Sequence, residues 1–198
     1  MKVCGLTTEA AVEAAAETGV DAAGFVFSPS PRQLTAERAA ALAERLPDSV
    51  VRVAVFRHPA PGEVARVLHE FAADWVQTDA ADLAGQDLAG AEPVAVLRAG
   101  GPTPVVLPGL VLFAGAESGA GEVTDWDAAE KLARQTRVIL AGGLDAANVA
   151  DAVASVRPWG IDVSSGVEIR RGEKDPARMA AFVAAARRAA EAIKESTE

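Results

Sequence analysis

The 198-residue sequence holds one cysteine, Cys4, and two histidines, His58 and His69. A single thiol forms no internal disulfide, which fits a reducing compartment and a cytoplasmic protein. Cys4 stands far from both histidines along the chain, so a zinc site is not expected. Positive charge is also short: 19 Lys and Arg against 28 Asp and Glu leave a formal net charge of −9. Nucleic acid and anionic membrane surfaces would both repel such a chain. An anionic small molecule is admissible only where a local cluster of donors overcomes that field. No apolar run is long enough to span a bilayer. The opening Met1-Lys2-Val3-Cys4-Gly5 lacks the charged and apolar regions of a secretory signal, so no targeting segment is expected. No G-x-G-x-x-G follows the first strand-like run, so the fingerprint of a dinucleotide-binding sheet is missing as well.

What is present is alternation. Half of the residues are hydrophobic, and short runs of Val, Ile, Leu and Phe take turns with Ala-rich segments of helical spacing. The runs predict strands at residues 2–4, 22–27, 51–56, 75–77, 94–97, 110–113, 138–140 and 160–163. Helices are predicted at residues 8–18, 36–45, 62–71, 146–155 and 176–193, the first with Thr7 as N-cap and Gly19 as its stop. The stretch after the fourth strand is weakly helical. After the fifth, Gly100, Gly101, Pro102 and Pro104 argue against a full helix. Alternating β and α elements imply a parallel sheet. Eight units close into a (β/α)8 barrel or spread into an open sheet. The missing fingerprint favours the barrel, as does an internal echo of Cys4-Gly5-Leu6…Gly24-Phe25-Val26 in Gly142-Gly143-Leu144…Gly160-Ile161-Asp162. Barrels of this kind usually need about 250 residues, so the loops must be short. One domain is expected over residues 1–198.

In such a barrel the chemistry lies at the C-terminal ends of the strands. Gly142-Gly143 follows the seventh strand and Ser164-Ser165-Gly166 the eighth. These are the loops where barrels of this type bind phosphate. Glycine lets the backbone approach a ligand, and N–H groups, Ser hydroxyls and a helix N-terminus favour an anion. The plain alternative is a pair of tight turns. Cys4 ends the first strand, where a thiolate could abstract a proton; the plain alternative is a small buried hydrophobe. Arg32, in the polar loop after the second strand, could clamp a carboxylate through two parallel bonds.

Taken together these residues resemble the phosphoribosylanthranilate isomerase family of tryptophan biosynthesis. The similarity runs through Lys2-Val3-Cys4-Gly5-Leu6-Thr7, Gly24-Phe25-Val26-Phe27-Ser28-Pro29-Ser30-Pro31-Arg32, Asp125-Trp126, Gly142-Gly143-Leu144…Asn148-Val149 and Asp162-Val163-Ser164-Ser165-Gly166-Val167-Glu168, then Gly172…Lys174-Asp175. The resemblance implies a cofactor-free Amadori rearrangement of a small phosphorylated substrate. By position, Cys4 would be the general base and Arg32 the partner of the anthranilate carboxylate. Gly142, Gly143, Ser164 and Ser165 would hold the phosphate. A monomer or a homodimer would fit the family.

The chain departs from the family pattern at two strand ends. The family's general acid is an Asp closing strand six, where Leu112-Phe113-Ala114-Gly115 places Ala114. Strand four usually ends in Gln-Leu-His-Gly; here Gln77-Thr78-Asp79-Ala80 puts Asp79 in place of the His. Glu117, in the loop after Ala114, is one replacement acid; Asp79 and Asp162 at other strand ends are others. Two further readings stand beside the isomerase: a related aminosugar-phosphate isomerase of the histidine pathway or of dual substrate, and a phosphate-ligand-binding relic with little turnover.

Overall fold

A computed structural model describes residues 1–116 and 123–195. Eight parallel strands close into a barrel in sequence order. They are β1 (Lys2–Cys4), β2 (Ala22–Val26), β3 (Val51–Val55), β4 (Trp75–Asp79), β5 (Glu92–Arg98), β6 (Leu110–Ala114), β7 (Arg137–Leu140) and β8 (Gly160–Val163). The seam closes where Lys2 pairs with Asp162 and Val3 with Val163. Outside the barrel lie α1 (Glu9–Thr18), α2 (Ala36–Ala43), α3 (Glu63–Glu70), α4 (Trp126–Ala133), α5 (Val149–Val156) and α6 (Pro176–Glu195).

The short chain closes this barrel by omitting helices. After β4 there is one 3-10 turn, Ala80–Asp82, and no helix stands between β5 and β6. Leu83, Leu88 and Leu107 from those connections pack instead on the outward residues, which include Ala95, Leu97, Val111 and Phe113. Alternation along the strands then sorts the core into two parts. Outward residues pack against the helices, while Val94, Val96, Leu110, Leu112, Ile139 and Ala141 fill the barrel interior.

Several boundaries shift for local reasons. The N-cap of α1 is Thr8, whose hydroxyl accepts from the Ala11 amide at 3.2 Å. The predicted cap, Thr7, donates instead to the Gly172 carbonyl at 3.1 Å. Helix α5 begins at Val149 rather than 146, because the Asp145 carboxylate accepts from the amides of Ala147 (2.8 Å) and Asn148 (3.1 Å) and folds them as a turn. Asp125 caps α4 by accepting from Ala128. A small antiparallel pair, β9 (Glu168–Arg170) and β10 (Glu173–Lys174), follows β8. Its run of charged residues carries no alternating apolar signal, so sequence reasoning missed it.

Candidate active site

A cavity of about 310 Å³ opens at the C-terminal ends of the strands. That is the size of a small-molecule site. Val26, Val55, Val96, Leu112 and Ala141 give it apolar walls, and Cys4 lines it from β1. The thiol is buried, with 8% exposure. Its placement follows from β geometry: Lys2 and Cys4 are two residues apart and share the interior face, while Val3 faces the helices.

Gly24 is the neighbour of Cys4 in the β1–β2 register. A Cβ built on it would come within 3.0 Å of Cys4 Sγ and 3.2 Å of Lys2 Nζ. The glycine therefore reserves the space in which both groups stand. Gly24→Ala is expected to leave a folded barrel in which Cys4 and Lys2 are displaced, and a reaction that uses either group would slow by on the order of 10²-fold, the effect of a shift of about 1 Å. A far-ultraviolet dichroism spectrum beside the rate assay checks it; an unchanged rate would refute the packing argument.

Next to β1 around the closed barrel, the loops after β8 and β7 are locked together. Gly142 and Gly143 both take positive φ, 96° and 63°. A Cβ on Gly166 would approach the Leu144 carbonyl oxygen to 2.0 Å, so only glycine allows this contact. Asn148 holds the first loop by donating to the Gly143 carbonyl at 2.8 Å and accepting from the Asp145 amide at 3.0 Å. Among the described residues, no acceptor is bonded to the amides of Gly142, Gly143 or Ser165. Such amides beside a cavity are ready donors to an anion. The Ser164 hydroxyl is committed elsewhere: it donates to the Cys4 carbonyl at 3.0 Å and accepts from Lys174 at 3.2 Å.

Arg32 lines the cavity but already holds a carboxylate. Its Nε and Nη2 donate to the two oxygens of Glu168 at 2.7 and 2.8 Å. Glu168 also accepts from Lys174 at 2.8 Å and from the Gly172 amide at 3.2 Å. Burial works against ionising Glu168, but the bonds from Arg32 and Lys174 outweigh it, and its carboxyl is lowered to about 2. Burial pushes the Lys174 ammonium below the ordinary lysine value, against the pull of Glu168. This network ties the β2 loop to the β9–β10 hairpin. The closing motif showed Glu168 and Lys174 in sequence, but nothing there revealed that they face Arg32.

Asp162 lines the cavity from β8 and accepts from Lys2 Nζ at 2.8 Å. Among the described lining residues it is the one carboxylate. Ala114 and Gly115 occupy the rim of β6, and Glu117 lies outside the described residues. Asp79 is ion-paired with Arg98 at 2.7 Å. His58, Asp79 and Asp82 bring ligand atoms within 4.8 Å of one another. The Arg98 guanidinium already offsets Asp79, and His58 Nδ1 is 2.9 Å from Asp82, which makes the group a salt-bridge cluster.

Arginines supply the donor cluster that an acidic protein needs for an anionic ligand. Arg32, Arg57, Arg98 and Arg171 all line the cavity. Arg57 is positioned by Ser28, whose hydroxyl accepts from its amide at 2.7 Å and donates to its carbonyl at 3.2 Å. Sequence reasoning gave Arg57, Arg98 and Arg171 no role. Position at a strand end was an available signal for the first two. Arg171 reaches the cavity from a turn that only the hairpin defines.

Comparison with known proteins agrees with this geometry. The family model for N-(5'phosphoribosyl)anthranilate (PRA) isomerase matches residues 1–91 and 105–185. The N-(5'-phosphoribosyl)anthranilate isomerase of Methylibium petroleiphilum is 41% identical over 96% of this chain and 94% of its own length. The crystal structure of TrpF from Jonesia denitrificans superposes with a TM-score of 0.83 at 34% identity, covering 96% of this chain and 97% of that one. A phosphoribosyl anthranilate isomerase in complex with reduced 1-(O-carboxyphenylamino)-1-deoxyribulose 5-phosphate superposes at 0.76, with 26% identity and coverage of 94% and 97%. With its barrel, its cavity and the order of its motifs, the chain belongs to the phosphoribosylanthranilate isomerase family.

Proposed function

We propose that this protein isomerises N-(5-phosphoribosyl)anthranilate to 1-(2-carboxyphenylamino)-1-deoxyribulose 5-phosphate. The observation that carries the reading is one cavity with the Cys4 thiol on β1 and the unbonded amides of Gly142, Gly143 and Ser165 among its lining. The phosphate would sit on those amides, with Ser164 contributing to the shape of the loop rather than its hydroxyl proton. The anthranilate carboxylate would meet Arg32 through Nη1, since Nε and Nη2 serve Glu168.

The chemistry then consists of proton movements alone. An acid protonates the furanose oxygen, and the ring opens to a Schiff base. Cys4, as thiolate, removes the proton from C2; the enolamine that forms takes a proton at C1 and loses the one on its enol oxygen to give the ketone. Internal proton transfer of this kind calls for no cofactor and no metal. Ala114 leaves the acid to be supplied from elsewhere. Glu117 is our first choice, three residues beyond Ala114; Asp162 is the second, though it would have to release Lys2.

The vacant acid position favours a second reading, a phosphate-ligand-binding relic with little turnover. Loss of substrate fluorescence on addition of the purified protein separates the two. Turnover is expected in the wild type, with a fall of roughly 10²–10⁴-fold in Glu117→Gln if Glu117 is the acid. Binding of the reduced product analogue without turnover would favour the relic.

A further inference from the structure

A lysine inside the barrel is costly, because burial opposes its charge. Lys2 is nonetheless 2% exposed. Its ammonium has two neighbours. Asp162 Oδ1 accepts from Nζ at 2.8 Å. Cys4 is the other: both its Sγ and Lys2 Nζ crowd the same point above Gly24, at 3.0 and 3.2 Å. The Asp162 pairing is explained by the seam register, in which Lys2 lies opposite Asp162. The position beside Cys4 is not required by that pairing. It follows from Lys2 and Cys4 sharing the interior face and from the absence of a side chain on Gly24.

We propose that Lys2 is a positioning residue for the general base: its ammonium is the counter-charge of the thiolate that Cys4 must become, and Asp162 fixes that ammonium beneath the sulfur. A buried thiolate is costly without such a partner; Arg32 and Lys174 also lie within electrostatic reach of Cys4, but both are bonded to Glu168, whereas Lys2 stands beside the sulfur. An ammonium hydrogen-bonded to a carboxylate keeps its own proton, so it stabilises the sulfur charge without acting as the acid. Burial opposes charge on Lys2, but Asp162 and Cys4 outweigh it and hold the ammonium above the ordinary lysine value. An ammonium held above the ordinary lysine value keeps its charge at neutral pH. The same arrangement gives Asp162 a task other than proton donation.

This inference rests on the reading of Cys4 as the base, and its test needs no isomerase substrate. Cys4 is the only thiol in the chain, so its alkylation by iodoacetamide can be followed from pH 5 to pH 10 without interference. Wild type is compared with Asp162→Asn and with the charge-balanced pair Lys2→Met/Asp162→Asn, each verified as folded by thermal melting. In the double variant, the alkylation rate at pH 7 is expected to fall at least about tenfold and its profile to move to higher pH, since an opposite charge at this range favours the ionised form by that order. Asp162→Asn alone, which removes the bond that holds the ammonium in place, should move the profile in the same direction by a smaller amount. Superimposable profiles in all three proteins would overturn the proposal. A wild type that alkylates as expected but does not turn over phosphoribosylanthranilate would instead overturn the isomerase reading, leaving the Lys2–Cys4 coupling standing.

Discussion

Cys4→Ser is expected to lower kcat/KM for phosphoribosylanthranilate by roughly 10²–10⁴-fold, the usual contribution of a general base. The substitution is nearly isosteric, and the site has little room for any other change. Cys4 closes β1 with 8% exposure, its carbonyl accepts from Ser164, and Gly24 faces it across the register. The folded protein should therefore keep its cavity and its affinity for the reduced product analogue. What it loses is ionisation: an alcohol at this position is not deprotonated near neutral pH, whereas a thiol can be. Titration calorimetry with the analogue, beside the fluorescence assay, distinguishes the two effects. Unchanged kcat with the serine would remove Cys4 from the mechanism. Weakened binding with kcat retained would make it a wall of the cavity and nothing more.

The second large effect concerns stability. Glu168→Gln should destabilise the barrel by about 3–5 kcal/mol, the range for removing one partner of a buried ion pair, because Arg32 and Lys174 would both lose their counter-ion. The pH dependence has a definite sign. The folded carboxyl lies at about 2, below its ordinary value of 4.5. A lowered carboxyl contributes stability that is present above the unfolded value and lost as pH falls toward the folded one. The wild-type advantage over Glu168→Gln should be level from pH 7 to about pH 4.5, then shrink toward pH 2. Urea unfolding midpoints at pH 7, 4.5, 3 and 2.5 measure it. Other carboxylates are common to both proteins and cancel in the difference. An advantage independent of pH across that window would show that the bonds to Arg32 and Lys174 do not set the behaviour of Glu168. Because the network joins the β2 loop to the hairpin beside the cavity, KM should also rise in the variant well above the acid transition.

The same network separates what sequence and structure each decide. Strand and helix order was legible because it depends on local period. The run at 110–113 is apolar and short, and Gly19 marks a helix end through bonds within a few residues of itself, while the cap of the same helix falls on Thr8, one residue past the predicted Thr7. Parallel alternation then leaves few topologies, and the missing dinucleotide fingerprint removes the most common competitor. The strand-end rule brought Cys4, Gly142, Gly143 and Ser165 to one rim, because a parallel barrel gathers all of its βα loops there. Where the rule concerned backbone position, it agreed with the fold.

Side-chain engagement was not legible. Arg32 and Glu168 are 136 residues apart, and Lys2 and Asp162 are separated by 160. Neither pairing leaves a local trace, since each partner alone reads as an ordinary charged residue. Closure of the barrel makes β1 a neighbour of β8, and only then does a lysine at the second position come to lie between a carboxylate and a thiol. The Ser164 hydroxyl shows the same limit. Position in the loop after β8 offers it as a phosphate donor, and only the fold reveals its bond to the Cys4 carbonyl. By itself the sequence determined the alternation of elements, the rim on which the site is built and the identity of the groups available there. The tertiary structure decided which charges meet, because burial makes each charge seek a partner and the closed sheet fixes which partners are within reach.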